Sequence, residues 1–284
     1  MTMEFSGTSH ISSASNPRIK DLVKLRDRVH RDRAGLILIE GYRELLRAVN
    51  AGVRIKELYF CETFFLGENE PDLIRRAGSS GAGLYSVDET PFRKISYRDR
   101  PDGLIAVSQP VKRTLASLKL SPVPLLIVAQ AIEKPGNLGA ILRSADAAGV
   151  DCVIVCDGTT DINNPNVVRA STGTLFTVPV VEATTVEALA WLKENHVRII
   201  AATPHASACY TDINFVQPCA IAVGAEQYGL RSDLMEQADE QVRIPMAGVA
   251  DSLNVSTAAT LLLFEAARQR GFPAKSTTPL TGSG

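Results

Sequence analysis

The chain has 284 residues, of which 45% are hydrophobic and 21% charged, and its formal net charge is −1. This balance excludes an intrinsically disordered chain, and the length suits one large domain or two smaller ones. No apolar run is long enough to span a bilayer, and the polar N-terminal stretch lacks the apolar core of a signal peptide. We therefore expect a cytoplasmic protein with no membrane partner.

The first block of the chain alternates predicted helices and strands in the manner of a small α/β module. A helix is expected after Ser15, Asn16 and Pro17, which together are typical of a helix start. The predicted helices cover residues 19–29 and 42–51, and the predicted strands cover residues 36–39, 58–61 and 103–109.

A second block follows a proline-rich joint at residues 110–123, which we interpret as a linker with a short helix. Its strands and helices alternate more clearly, which predicts a mostly parallel sheet with helices on both faces. The predicted strands are 125–129, 152–156, 175–180, 197–202, 220–224 and 241–244, and the predicted helices are 138–148, 167–171, 186–194, 232–238 and 255–269.

Basic residues are concentrated in a short segment near the start of the chain. They are Arg18, Lys20, Lys24, Arg26, Arg28, Arg31 and Arg33. Such a local excess favours nucleic-acid binding even in a near-neutral protein, because phosphates respond to the local potential. The alternative is a solvated helix face whose bases pair with Asp21, Asp27 and Asp32.

Cysteine and histidine usage gives no reason to expect a metal. The five cysteines form no CxxC pair, and we interpret them as small buried hydrophobic residues. No two of the four histidines have the spacing of metal ligands.

The loop after the strand at 125–129 carries the first unusual motif. Pro135 and Gly136 predict a turn, Asn137 is expected to cap the next helix, and Gly139 allows close backbone approach. Arg143 lies near the start of that helix, where the helix dipole favours acids, so it points to a phosphate or carboxylate partner. The alternative is a surface arginine after an ordinary capped turn.

Two later strands also end in unusual loops. Gly224 and Gly229 bracket Glu226, whose carboxylate could accept a donor or could simply be solvated on a tight turn. Ser252 and Asn254 precede the apolar helix at 255–269, where they could face a ligand or serve only as N-caps.

Taken together, the three loops resemble the SpoU/TrmH family of RNA ribose 2′-O-methyltransferases, part of the SPOUT superfamily. The shared motifs are N-x-G-x-x-x-R, G-x-E-x-x-G-L and I-P-M-x-G-x-x-x-S-L-N-V-S, within residues 124–272. Gln227 stands where this family often has a second glycine. Residues 10–109 resemble the family's substrate-binding domain, which is similar to ribosomal protein L30e, and residues 273–284 form an expected flexible tail.

The resemblance implies that the second block is threaded into a deep trefoil knot, although protein chains usually avoid knots. It also implies that the knotted loops hold S-adenosylmethionine in a bent conformation. It also implies a homodimer, and the helix at 255–269, apolar almost all round, needs a core or a partner to bury it. By position, the implied catalytic residues are Asn137, Arg143, Glu226, Ser252 and Asn254. The implied cofactor-binding residues are Ala202, Thr203, Gly224, Ile244, Met246 and Leu253.

The expected activity is methyl transfer to a ribose 2′-hydroxyl of structured RNA, without a metal. Arg143 is expected to steady the developing charge and clamp a phosphate, since a guanidinium is hard to deprotonate. RNA affinity is assigned to Arg18, Lys20, Lys24, Arg26 and Arg28, together with Arg143. Ribosomal RNA is preferred over transfer RNA because the L30e-like block is commoner in that branch. The alternatives are a non-catalytic RNA-binding dimer of the same fold and a nucleotide-binding enzyme without RNA.

Overall fold

The structure is a computed structural model that describes Phe5 and residues 7–272. The tail predicted at residues 273–284 lies outside the described residues. Two β-sheets, one of five strands and one of seven, organise the rest of the chain.

The five-stranded sheet belongs to the first block and runs in the order β1-β4-β3-β5-β2. β5 is antiparallel to both of its neighbours, whereas the other pairs are parallel, so the first block is the α/β module that the sequence predicts. Its strands are β1 (Ser9–Ile11), β2 (Ile37–Glu40), β3 (Ile55–Phe60), β4 (Gly83–Val87) and β5 (Leu104–Ser108). Its helices are α1 (Pro17–Lys24), α2 (Arg28–Ala34), α3 (Tyr42–Asn50), α4 (Glu70–Ser79) and α5 (Glu89–Ile95).

The single helix predicted over residues 19–29 is wrong, because the chain breaks between α1 and α2. Asp27 is extended, and its carboxylate accepts hydrogen bonds from the backbone N–H groups of Val29 at 2.8 Å and His30 at 3.4 Å. An aspartate in this position caps a new helix instead of continuing the old one. The basic segment is therefore a pair of short helices joined by a turn.

The seven-stranded sheet belongs to the second block, and every strand pair in it is parallel, which confirms the predicted sheet type. The strand order is β10-β12-β9-β11-β6-β7-β8. The strands are β6 (Leu125–Gln130), β7 (Cys152–Cys156), β8 (Val180–Ala183), β9 (Arg198–Ala202), β10 (Ala208–Cys209), β11 (Cys219–Val223) and β12 (Glu240–Arg243). The helices are α6 (Pro135–Ala148), α7 (Pro165–Ala170), α8 (Thr185–Glu194), α9 (Ser232–Glu236) and α10 (Val255–Gln269).

A strand predicted at residues 175–180 is wrong. Gly173 has a positive φ of 85°, and the hydroxyl of Thr174 donates to the carbonyl of Ser171 at 2.9 Å. These local bonds close a short 3₁₀ helix at Thr174–Phe176, and β8 begins only after Pro179. Hydroxyl side chains that bond nearby backbone groups compete with strand pairing in this way.

Both faces of the seven-stranded sheet are covered, with α6 and α10 on one face and α8 and α9 on the other. Close packing between α6 and α7 requires Gly139, because a Cβ there would lie 2.4 Å from that of Ala170. The first core continues through α7 into β2 and α3 of the first block, so the two blocks share buried hydrophobic residues.

The cysteines largely follow the expectation of a hydrophobic role. Cys61, Cys152, Cys156 and Cys219 are buried, Cys209 is half-buried, and all five are free thiols. Burial raises the pKa of Cys152 and of Cys156 to about 12, so neither is a thiolate at neutral pH. Across the described ranges of the chain, no helix combines the length and hydrophobicity needed to cross a membrane.

An ion pair between Arg31 and Asp161 joins the two blocks. The guanidinium lies 2.6 Å from the carboxylate, and the two side chains are 3% and 10% exposed. The same guanidinium donates to the carbonyls of Leu25 and Arg26, at 3.1 and 2.7 Å. Arg31, which the sequence places among the basic residues of the arm, is thus unavailable to RNA.

Replacing Arg31 by alanine should lower the free energy of unfolding by about 3–5 kcal/mol, because the carboxylate of Asp161 is left buried without its partner. Urea unfolding measures this change. Arg33→Ala, two residues away on the same helix and exposed to solvent, should stay within about 0.5 kcal/mol of the parent protein. Equal midpoints for the two variants would show that the ion pair contributes nothing to the junction.

Candidate active site

Three adjacent strands end at one edge of the seven-stranded sheet, where the candidate site lies. β12, β9 and β11 are neighbours and run parallel, with Ala202 opposite Val242 and Ala201 opposite Ala222. Ala202, Gly224 and Ile244 therefore stand at the carboxyl ends of neighbouring strands. Ligands of parallel α/β sheets bind beyond such ends.

The loop at the end of β11 folds back on itself through two glycines. A Cβ on Gly224 would lie 2.1 Å from the carbonyl carbon of Gly229, so only glycine fits. Gly229 has a φ of 67° and pairs with Ala225 in an isolated antiparallel bridge. Glu226 lies in this turn, just beyond the carboxyl end of β11.

Glu226 collects hydrogen bonds from two of the other predicted residues. Its Oε1 accepts from the side-chain amides of Asn137 and of Asn254, the latter at 3.0 Å. The Nδ2 of Asn254 also lies 3.2 Å from the Oδ1 of Asn137. The structure thus brings together one residue from each of the three motif loops, although they are far apart in sequence.

Lys134 completes this cluster, and the sequence analysis missed it. Its Nζ lies 2.8 Å from the Oε2 of Glu226. The hydrogen bond from Lys134 is the main cause that lowers the pKa of Glu226, and the bond from Asn137 adds to it. Glu226 is therefore a charged acceptor at neutral pH and not a proton donor. The available signal was a cation in the same loop, three residues before Asn137.

The predicted capping role of Asn137 is wrong. α6 begins at Pro135 with Lys134 at its N-cap, so Asn137 lies in the first turn and its side chain is free to reach Glu226. The N-cap alternative holds for Asn254, since its Oδ1 accepts from the backbone N–H of Ser256 at 3.0 Å. Asn254 thus caps α10 with its oxygen and contacts Glu226 with its nitrogen.

The remaining predicted catalytic residues stand apart from this cluster. Arg143 lies in the middle of α6, so its predicted place near the helix start is wrong. It is exposed, and within the described residues its side chain forms no hydrogen bond or ion pair. Ser252 is exposed in the loop before α10. Both side chains are open to a ligand, and neither contacts Glu226 in this structure.

The predicted cofactor-binding residues line the same edge without charge. Ala202, Thr203, Ile244 and Leu253 are half-buried, and Met246 is 36% exposed. Thr203 donates its backbone N–H to the carbonyl of Val242 at 2.9 Å, which ties two of the loops together. Apolar side chains and backbone groups at strand ends suit a flat ring system with a few hydrogen-bonding edges.

Gln130, at the end of β6, is a second residue that the sequence analysis missed. It is fully buried, and its amide donates to the hydroxyl of Thr185 at 2.8 Å. Its carbonyl oxygen accepts from the backbone N–H of Arg231 at 2.8 Å, just beyond the loop that carries Glu226. Gln130 therefore anchors that loop to the sheet. A buried glutamine in an apolar strand was the only signal.

The basic arm is partly occupied by contacts within the protein. Arg18 pairs with Glu57 at 2.6 Å, and Lys24 pairs with Asp21 at 2.8 Å. Arg26 donates to two backbone carbonyls and lies over the ring of Tyr97. Arg28 lies 3.6 Å from Asp32, whereas Lys20 is exposed and no ion pair or side-chain hydrogen bond involves it in the described part of the chain. The alternative of a solvated face with paired charges thus holds for several of these residues, and RNA binding by the exposed cations stays a prediction.

No group of three or more metal-ligating side chains occurs among the residues that the structure describes.

Comparison with known proteins connects this geometry to a family. Residues 124–264 match the model of the SpoU rRNA Methylase family, and residues 16–106 match the MRM3-like substrate binding domain. A 23S rRNA (guanosine(2553)-2′-O)-methyltransferase, RlmP, of Bacillus subtilis is 30% identical over 254 residues, which are 89% of this chain and 97% of the relative. The 23S rRNA (guanosine-2′-O-)-methyltransferase RlmB of Ralstonia nicotianae is 35% identical over 78% of this chain and 91% of its own.

Solved structures agree with these relatives over nearly the whole chain. The AdoMet-bound rRNA methyltransferase from Sinorhizobium meliloti is 30% identical, with a TM-score of 0.85 over 93% of this chain and 98% of that one. A crystal structure of an RNA 2′-O ribose methyltransferase is 46% identical, with a TM-score of 0.82 over 92% of this chain and 99% of that one. The chain therefore belongs to the SpoU family of rRNA methylases.

Proposed function

We propose that this protein transfers a methyl group from S-adenosylmethionine to a ribose 2′-hydroxyl of ribosomal RNA. The observation that carries the proposal is the cluster of Asn137, Glu226 and Asn254 at the carboxyl edge of the sheet. Two relatives that match most of the chain are named as 23S rRNA 2′-O-methyltransferases, which favours ribosomal over transfer RNA. We assign the protein to the cytoplasm because that is where a ribosomal RNA substrate would be met.

The cofactor is assigned to the strand ends at Ala202, Gly224 and Ile244, with Thr203, Met246 and Leu253 beside them. The donor set fits, because it offers backbone groups for an adenine edge and apolar side chains for its faces. S-adenosylmethionine supplies a methyl group on a positively charged sulfur. The absence of a cation among these six residues suits that charge, and the carboxylate of Glu226 is nearby.

The reaction needs the hydroxyl oxygen and the methyl carbon held about 3–3.5 Å apart and in line. The cluster around Glu226 keeps the three loops in one arrangement. Arg143 and Ser252, both exposed, are assigned to the RNA, where a guanidinium binds a phosphate in bidentate fashion and steadies developing negative charge. We assign Arg143 to binding and electrostatics and not to proton abstraction.

Methyl transfer to ribosomal RNA from cells that lack the gene tests the proposal directly. A 2′-O-methyl group removes the nucleophile of alkaline cleavage, so the modified position should resist hydrolysis at one site. Arg143→Ala should lower turnover at least a hundredfold, about 2.7 kcal/mol of barrier, and leave S-adenosylhomocysteine binding nearly intact. Calorimetry measures that binding.

Lys193→Ala is the matched control, since it removes an exposed cation from α8 on the opposite face of the sheet. Its turnover should equal that of the parent protein. Methylation on a base, or turnover of Arg143→Ala within about threefold of the parent, would contradict the assignment.

The division of the chain is proposed as an L30e-like RNA-binding domain at residues 10–109, a linker at 110–123 and a methyltransferase domain at 124–272. We also assign a trefoil knot to the second domain. The strand order supports it, because the chain passes from β11 inside the sheet to β12 beyond β9 and then returns in α10. α10 packs against α6 and β11. In a trefoil knot, the chain that leads into α10 would pass through the loop formed by the preceding strands.

We propose a homodimer because α10 has an exposed apolar face. Leu262, Leu263 and Ala266 are buried against the rest of the domain, but Leu261 and Phe264 are 38% and 41% exposed. These two side chains lie three residues apart and share a helix face. An apolar face of this kind is suited to a second copy of the chain.

Leu261→Arg should give a monomer at micromolar concentration, because a charge would be buried at the contact. Light scattering measures the mass. Val186→Arg places the same charge at a 73% exposed valine on α8 and should leave the dimer intact. A parent protein that is monomeric in this experiment would refute the dimer.

The arm is proposed to supply affinity through the cations that face solvent. Lys20→Ala, Lys24→Ala and Arg28→Ala, combined, should weaken RNA binding and reduce its salt dependence by about 0.7–0.9 in log–log slope for each phosphate that is no longer neutralised. Arg26 is left unchanged because it holds the backbone of residues 94 and 96. RNA affinity at two salt concentrations gives the slope.

A second triple variant separates local contacts from net charge. Arg54→Ala, Lys56→Ala and Arg75→Ala remove the same charge from exposed positions elsewhere in the first domain. Parallel slopes and equal affinities for the parent and the arm variant would show that the arm is only a soluble surface.

A further inference from the structure

The turn that carries Glu226 is fixed at several points. A Cβ on Gly224 would clash with Gly229, and Gly229 pairs with Ala225 in an isolated bridge. The carboxylate of Glu226 accepts from two asparagine side chains and pairs with a lysine. Beyond the turn, the backbone N–H of Arg231 donates to the buried glutamine at the end of β6 at 2.8 Å. The backbone of the turn therefore has little freedom to move.

Tyr228 lies in this turn, and its side chain faces solvent. It is 77% exposed, whereas the other five tyrosines of the chain are buried or half-buried. Among the residues that the structure describes, its side chain forms no hydrogen bond, ring stacking or cation–π contact. The preceding residue, Gln227, is also exposed and stands where the SpoU family often has a glycine. The turn therefore presents an uncovered aromatic ring from a fixed backbone beside the candidate active site.

The proposed reaction brings the base of the reacting nucleotide close to this ring. Its 2′-hydroxyl would lie at the cluster of Asn137, Glu226 and Asn254. The base is bonded to C1′ of the ribose, the carbon next to the one that carries this hydroxyl. Tyr228 is two residues from Glu226, so their Cα atoms are at most about 7 Å apart. The base and the ring are therefore within reach of each other.

An aromatic ring in this place can hold a base by its flat face. Unpaired bases of RNA stack on tyrosine and other aromatic side chains, and every base has a face that can do so. A tyrosine has only two side-chain torsion angles, so ordering it against a base costs little conformational entropy. A base within a helix has both faces covered by its neighbours, so this contact selects an unpaired nucleotide.

We propose that Tyr228 stacks on the base of the nucleotide that is methylated, and thereby fixes the direction of its 2′-hydroxyl. The proposal rests on the proposed function, since it takes a ribose 2′-hydroxyl as the acceptor. It assigns the substrate to the class of unpaired nucleotides within a structured RNA. Stacking fixes the plane of the base, and the bond from the base to C1′ then limits the positions open to the ribose.

The test uses two ribosomal RNAs made by splinted ligation, which differ at the nucleotide that alkaline cleavage maps. One RNA carries the base there, and the other keeps the ribose and lacks the base. For the parent protein, loss of the base should lower kcat/KM about tenfold. Tyr228→Ala should lower kcat/KM on the intact RNA about tenfold as well, with at most about a twofold further loss without the base, because both changes remove the same contact. Tyr228→Phe keeps the ring and should stay within about twofold of the parent.

Phe272→Ala is the matched control, because it removes a 55% exposed ring beyond the far end of α10. α10 has 15 residues and is about 22 Å long, and Asn254 lies at its other end. This variant should match the parent protein on both RNAs. Every variant should bind S-adenosylhomocysteine as the parent does. Weaker binding by Tyr228→Ala would assign the ring to the cofactor and overturn the proposal, as would an equal effect of base removal in Tyr228→Ala and in the parent.

A second readout does not depend on turnover. Trp191 on α8 is the single tryptophan of the chain, so Trp191→Phe combined with Tyr228→Trp places the only indole at position 228. The RNA that carries the base should quench its emission, and the RNA without the base should not. Equal emission with the two RNAs would contradict the stack. Absence of methyl transfer by the parent protein would refute the proposed function itself, and that result is seen without any Tyr228 variant.

Discussion

The carboxylate of Glu226 is the acceptor on which the arrangement of the site depends. It accepts from the amides of Asn137 and Asn254 and pairs with Lys134, so three loops separated by 89 and 28 residues meet at one side chain. An ionised carboxylate offers only acceptors, which matches two amide donors and an ammonium group. Protonation would turn one carboxylate oxygen into a donor, which would then face the amide and ammonium donors and lose a hydrogen bond or the ion pair. The lowered pKa of Glu226 keeps the carboxylate ionised to a lower pH than that of an ordinary glutamate.

The second constraint is the rigid connection between the domains. Arg31 is buried against Asp161, and Arg47 donates to the backbone and hydroxyl of Thr172. One hydrophobic core also runs from α3 into α6 and α7. A flexible linkage would let the first domain take many positions relative to the three loops and so lower the effective concentration of anything bound to it. The buried junction instead holds the first domain and the three loops in one geometry.

Sequence patterns predicted elements well where hydrophobic periodicity and end signals agreed. β7 and α10 match their predicted limits of 152–156 and 255–269, since an all-apolar run and a capped apolar helix leave little choice. The break at Asp27 was missed because the same basic pattern suits one helix or two, and only the cap distinguishes them. Residues 62–102 received no prediction, although they form α4, β4 and α5. α4 has a regular buried face with Leu73, Ile74 and Ala77, so its period was present and was missed.

The sequence predicted which residues belong to the candidate site, but it did not predict the contacts between them. Motif spacing singled out Asn137, Glu226 and Asn254, yet nothing local shows that an asparagine in a first turn reaches a loop 89 residues away. Lys134 and Gln130 were missed because their partners are distant in sequence. A single charged or amide side chain also leaves no periodic pattern in the sequence. Long-range polar contacts of this kind depend on the finished sheet, which sets the strand ends side by side.

Charge counting on the sequence overstates what the arm offers to RNA. Of its seven cations, Arg31 is buried in an ion pair and Arg26 is held by backbone carbonyls. Arg18 and Lys24 already face carboxylates, at distances of 2.6 and 2.8 Å. Phosphate contacts therefore supply less affinity than seven free charges would, in a protein whose net charge is −1.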